Sequence, residues 1–198
     1  MKLLANRGDE DQAINSKWNH YATQYKLSTD AFSTTNDFLW PHRIGASPKM
    51  PDNLPNERDF DPHGCGLDEQ CAWRNFGGLT LDEACKKFAS TPEVYQEDFM
   101  FMGSKAFAFY YPVIDRFLRN TITLTDEERG YRQSWILPQC IRAQFDEANR
   151  ESVVRLKASV LALCKFMLEN IDCFKDDWEV PSEIEMQWRS LQLHVDRF

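Results

Sequence analysis

The sequence predicts a mainly α domain, and three observations carry that expectation. Apolar residues recur at three- and four-residue steps through much of 80–198, most regularly at Val153, Leu156, Val160, Leu163, Met167 and Ile171. Ser/Thr-x-x-Glu boxes, whose hydroxyl and carboxylate satisfy orphan amide donors, stand at 80–83, 125–128 and 182–185. No stretch alternates with period two, and the chain has no internal repeat. The 198 residues suit a single domain over 1–198. A chain of this length buries roughly 70% of the surface its unfolded form exposes, so it needs neither disulfides nor metal to fold.

Residues 1–16 are polar and charged, with little to bury, and are expected to be flexible. Trp18, Tyr21, Ala22 and Tyr25 have the i, i+3, i+4, i+7 spacing of a short helix with an aromatic face. Residues 27–79 then hold Pro41, Pro48, Pro51, Pro55 and Pro62 together with Gly45, Gly64, Gly66, Gly77 and Gly78. Proline removes a backbone donor and restricts the residue before it, so this segment reads as a long ordered loop rather than a helix. Its apolar anchors, among them Phe38, Leu39, Trp40, Phe60, Trp73 and Phe76, distinguish it from a solvated linker. It is expected to wrap over a helical body at 80–198.

That body opens at the Thr80 box, after which Leu81, Ala84, Cys85 and Phe88 form one apolar stripe. Thr91 followed by Pro92 restarts a helix expected to reach Met102, where Gly103 ends it. Ser104 begins an aromatic helix carrying Phe107, Tyr110, Tyr111, Ile114, Phe117 and Leu118, with a kink expected at Pro112. The Thr125 box opens a helix that Pro138 is expected to bend. At 152–172 Val154, Leu161, Cys164 and Leu168 widen the apolar stripe, which suggests burial on more than one side. Ser182 is expected to cap a last helix with Ile184, Trp188, Leu191 and Val195 inward.

Between Tyr95 and Phe117 the chain holds eight aromatic residues, with Glu97 and Asp98 adjacent just before Phe99-Met100-Phe101-Met102. The run Tyr95-Gln96-Glu97-Asp98-Phe99-Met100-Phe101-Met102, followed by Ala106-Phe107 and Tyr110-Tyr111-Pro112, resembles a signature of uncharacterised bacterial proteins. In those proteins a Leu-x-Glu-Ala helix like Leu81-Asp82-Glu83-Ala84 precedes it. The resemblance spans 80–118 and implies a bacterial, soluble, helical protein of unknown function. It transfers no catalytic residues.

The formal charge of −8 is spread over both parts of the chain, −3 over 1–79 and −5 over 80–198. Neither part is basic, which weighs against nucleic acid and fits a partner with a basic surface. The apolar patch in MKLLANRGDEDQ is three residues long, too short for a signal peptide, and no uncharged run reaches membrane-spanning length. The expected location is therefore the cytoplasm, with the six cysteines as reduced thiols.

Adjacent residues on a helix diverge by about 100°, so Glu97 and Asp98 cannot face one cleft as an acid–base pair. The plain expectation is that one pairs with Lys105 or Arg116 and the other meets solvent. The functional one is that Tyr95, Gln96 and Glu97 present polar tips at the rim of an aromatic pocket that suits a small ligand or a peptide, with Asp98 beside them as a further candidate binding residue. Three functions follow from this. The first is a non-catalytic protein-binding module, in a specific version an inhibitor or immunity-type protein against a basic partner. The second is a small-ligand binder or enzyme with a pocket between 27–79 and the aromatic helix, lined by Trp40, His42, Tyr95 and Glu97. The third is a zinc site at His63, Cys65 and Cys71, with Asp61 or His42 completing it. Its five-residue spacer departs from the usual zinc pair, so the expectation is no cofactor. Nothing matches a phosphate-binding glycine loop, a dinucleotide fingerprint, a serine elbow or a metalloprotease helix.

Overall fold

The computed structural model describes residues 54–125, 129, 132, 134–174 and 181–198, within a unit spanning Lys49–Phe198. Among the described residues there is no β-strand, and the chain is mainly α as its periodicity predicts. The expectations for 1–16, for a helix at Trp18 to Tyr25, and for Trp40 and His42 lie outside the described residues.

The first described helices correct the loop reading over 54–79, while 27–53 lie outside the described residues. Helix α1 covers Glu57–Phe60 and α2 covers Leu67–Phe76. Asn56 and Asp59 form a capping box, with Arg58 N donating to Asn56 Oδ1 at 2.9 Å and Asn56 N to Asp59 Oδ2 at 3.0 Å. The prolines of the segment all lie at 41–62, whereas 63–76 contains none, and Ala72 and Phe76 give α2 one buried side.

Helix α3, Leu81–Ser90, starts at the expected box. Thr80 N donates to Glu83 Oε2 at 2.8 Å and Glu83 N to Thr80 Oγ1 at 3.3 Å, while Ala84, Cys85 and Phe88 are buried. The single helix expected from Pro92 to Met102 is instead two short ones, α4 at Pro92–Tyr95 and α5 at Asp98–Phe101. In a continuous helix the Gln96 carbonyl would accept from the Met100 amide. Here Met100 N donates to Glu97 O at 2.8 Å, and the Cys140 thiol meets Gln96 O at 3.3 Å.

Helix α6, Ser104–Thr121, is the aromatic helix and runs on through Pro112. Gly103 precedes it where a Cβ would run into the Asp59 carbonyl, and its amide donates to Phe60 O at 2.7 Å. Pro138 does not bend a helix. It lies in the first turn of α7, Leu137–Gln144, where a missing amide has no intrahelical partner to lose. The 125–128 box falls largely outside the described residues.

The helix expected over 152–172 is segmented into α8, Arg150–Val153, a 3-10 turn at Val154–Leu156, α9, Lys157–Glu169, and a 3-10 turn at Ile171–Phe174. Its burial is one-sided. Val153, Val160, Leu163, Cys164 and Met167 face inward, whereas Val154 is exposed and Leu161 and Leu168 are half-buried. Those three follow Val153, Val160 and Met167 by one position, and so sit about 100° round the axis on the flank. Helix α10, Pro181–Arg197, buries Ile184, Trp188, Leu191 and Val195 as expected. Because it starts at Pro181, Ser182 lies inside it rather than capping it.

Helix α6 is the hub, touched by α1, α3, α5, α7, α8 and α9, while α10 packs on α9 and α7. Six of the eight aromatics between Tyr95 and Phe117 are therefore core, whereas Tyr95 is half-buried and Phe101 is exposed. Phe76 lies 5.3 Å from Phe99 and 5.7 Å from Tyr110, and Phe88 lies 5.2 Å from Phe99 and 4.9 Å from Phe117, centroid to centroid. Each such ring, fully buried, contributes about 1.5–3 kcal/mol. Among the described residues no helix is long and apolar enough to cross a membrane.

Candidate binding face at the junction of α2 with α4 and α5

Residues 68, 71 and 75 of α2 follow three- and four-residue steps and so share one side of the helix. That side meets the 95–98 junction. Asn75 Nδ2 donates to Asp98 Oδ2 at 2.8 Å and also reaches Cys71 Sγ at 3.7 Å. Lys87 of α3 closes the group. Its ammonium donates to Asn75 O at 2.6 Å and stands 4.8 Å from the centre of the Tyr95 ring, over its face. Tyr95 is half-buried with its ring against Phe76. The structure thus brings Tyr95, Glu97 and Asp98 together with Asp68, Asn75 and Lys87, three residues that sequence reasoning did not select.

The two adjacent carboxylates have different surroundings, as their angular separation requires. Asp98 is 7% exposed, and Glu97 is exposed. Burial pushes the Asp98 carboxyl up to about 6. The Asn75 hydrogen bond and the Lys87 charge oppose the rise, and Glu97 and Asp68 add to it. Partial loss of hydration raises the Glu97 carboxyl too, and Asp68 raises it further. Burial also raises the Cys140 thiol, with Glu97 and Asp98 adding to it, so Cys140 is a neutral donor to Gln96 O. The Gln96 side-chain oxygen is buried and has no hydrogen-bond partner among the described residues.

The ion pair expected with Lys105 or Arg116 is not formed. Arg116 is taken by Asp82 at 3.1 Å, and among the described residues neither Glu97 nor Asp98 belongs to an ion pair. Helix α5 is in turn held from behind by Gln144. The two hydrogens of its Nε2 are shared among the carbonyls of Phe99, Met100 and Met102, which lie 3.0, 2.9 and 2.8 Å away. These are oxygens that a four-residue helix leaves unpaired at its C-terminal end.

The His63 and Cys65 loop is organised by Asp61. Its carboxylate accepts from Gly64 N at 2.8 Å, Gly66 N at 3.3 Å and Gln70 Nε2 at 3.4 Å. Burial alone would raise the Asp61 carboxyl, but these hydrogen bonds and one from the Cys65 amide outweigh it and lower its pKa. Gly64, at φ +71°, supplies the left-handed turn. Among the described residues no three His, Cys, Asp or Glu side chains converge as metal ligands. His63 and Cys65 are exposed and Cys71 turns toward Asn75.

The pocket expected beside the aromatic helix would need Trp40 and His42, which lie outside the described residues. A shallow groove of about 500 Å³ lies elsewhere, between α9 and α10, lined by Leu161, Ala162, Lys165, Gln192, Leu193 and Asp196. The junction itself holds carboxylates, a carboxamide, an ammonium, a phenol and the thiols of Cys71 and Cys140, and among the described residues no nucleophile there is hydrogen-bonded to a base. It is equipped to recognise charge. No protein-family model matches this chain, and no curated protein or solved structure matches it either.

Proposed function

We propose that this chain is a cytoplasmic protein-binding module that recognises a basic partner through Asp68 and Glu97. The supporting observation is unneutralised negative charge. Both carboxylates are exposed, neither is ion-paired among the described residues, and they lie close enough for Asp68 to raise the Glu97 carboxyl. Leu67 and Val94, exposed at 80% and 61%, adjoin this charge in the chain and add apolar area that a partner can cover. An inhibitor that blocks a basic protein is the specific version of this reading, because an acidic face accelerates encounter with a basic one. The six free thiols fit a reducing compartment.

The test compares the wild-type chain with the double variant Asp68→Lys, Glu97→Lys in pull-downs at low and moderate salt. The expected result is a stoichiometric basic partner, retained at low salt and lost on charge reversal, with association slowed roughly tenfold or more. Equal capture by both chains would refute the assignment of the face.

A further inference from the structure

We propose that Asp98 is a proton-operated latch: taking up a proton seats the 97–101 turn on α2, and releasing it loosens that seat. The geometry carries this. Asp98, Glu97 and Asp68 bring three carboxylates to one junction, and among the described residues the one ammonium acting on Asp98 there is that of Lys87. That ammonium is already engaged by the Asn75 carbonyl and the Tyr95 ring. Asp98 is 7% exposed and, among the described residues, has one side-chain donor, Asn75. When ionised it is a buried charge beside two like charges, which favours moving the turn outward into water. Protonation removes the repulsion and keeps the Asn75 bond, because the remaining carbonyl oxygen still accepts it.

The titratable and charged groups around Asp98 come from several elements. Asp68 and Cys71 come from α2, Lys87 from α3, Tyr95 from α4, Cys140 from α7, and Glu97 from the same turn. Helix α6, which also packs on α5, contributes no described charge that acts on Asp98. The burial-raised carboxyl, up at about 6, puts the change within a physiological range. The folded chain then binds a proton that the unfolded chain, with its aspartate near 4, releases. Stability therefore rises as pH falls from above 6 toward 4, by up to about tenfold in the folding equilibrium per pH unit.

The experiment follows the Asp98 side-chain carboxyl by ¹³C NMR against pH in the wild-type chain, Glu97→Gln and Asp68→Asn. In parallel, amide hydrogen exchange of Met100 and Met102 is measured at pH 5 and 7.5, corrected for intrinsic rates. The expected result is a wild-type midpoint well above 4, lowered in both variants, with greater protection of the two amides at pH 5. Asp98→Asn should show the same protection at both pH values. A midpoint at or below 4, or protection that is pH-independent in the wild type, would overturn the latch. Should Asp98→Asn not fold, the wild-type titration and exchange data decide the question without it.

Discussion

Helix α6 and the 95–98 junction are neighbours in the chain, and both place polar groups against the same aromatic core. In α6 the Tyr110 hydroxyl donates to Phe76 O at 2.7 Å and lies 2.8 Å from Leu79 O, so it serves carbonyls at and beyond the end of α2. Burial pushes this phenol up to about 12, and it stays a neutral donor at any physiological pH. The junction buries an aspartate instead, with one side-chain donor and two carboxylates nearby. A neutral group satisfied on site stabilises one conformation. An ionisable group left short of donors makes its conformation depend on solution conditions. Not every polar atom of α6 is so well served, since the Tyr111 hydroxyl is buried without a hydrogen-bond partner among the described residues.

The largest expected effect breaks the core that both regions share. Phe99→Ala removes a fully buried ring between Phe76 and Phe88 and should destabilise the chain by about 3–5 kcal/mol in urea unfolding. A loss of less than about 2 kcal/mol would mean that the junction is not anchored to that core. Tyr110→Phe sharpens the α6 side of the contrast. It takes the hydroxyl from Leu79 O, while Phe76 O keeps the Leu79 amide at 3.1 Å, and should destabilise by about 1–3 kcal/mol, with no dependence on pH between 5 and 8. Thr80→Ala, which removes the capping hydroxyl of α3, should cost about 1 kcal/mol and fray only the start of that helix. Smallest of all, Glu97→Lys should change stability by no more than about 0.5 kcal/mol while still reversing the charge of the proposed face. A large destabilisation there would make Glu97 structural and leave the face without its central residue.

Some of this was legible in the sequence for identifiable reasons. The Thr80 box, the inward stripe of α10 and the span of α6 are local patterns, and local patterns survive folding when packing agrees with them. The break between α4 and α5 was not legible. The Gln96 carbonyl at that break meets the thiol of Cys140, 44 residues away, a partner that no local pattern announces. Asn75 was invisible for a similar reason. An asparagine inside a helix has no periodic signature, and its partner Asp98 lies 23 residues away. The helix before Gly77 is masked by the prolines upstream of it, because proline count is a property of a window, whereas helix formation is decided residue by residue.

Composition and periodicity by themselves determined the helical class, the acidity and the set of large apolar side chains that had to be buried. These depend on side-chain chemistry and on the 3.6-residue repeat, both of which each stretch carries with it. Only the tertiary structure decided which of two adjacent carboxylates is buried and which is exposed, and that Lys87 bonds a backbone carbonyl instead of a carboxylate. Those outcomes turn on distances of a few ångströms between segments far apart in the chain. Coulomb and desolvation energies vary steeply over such distances, and no local pattern encodes them.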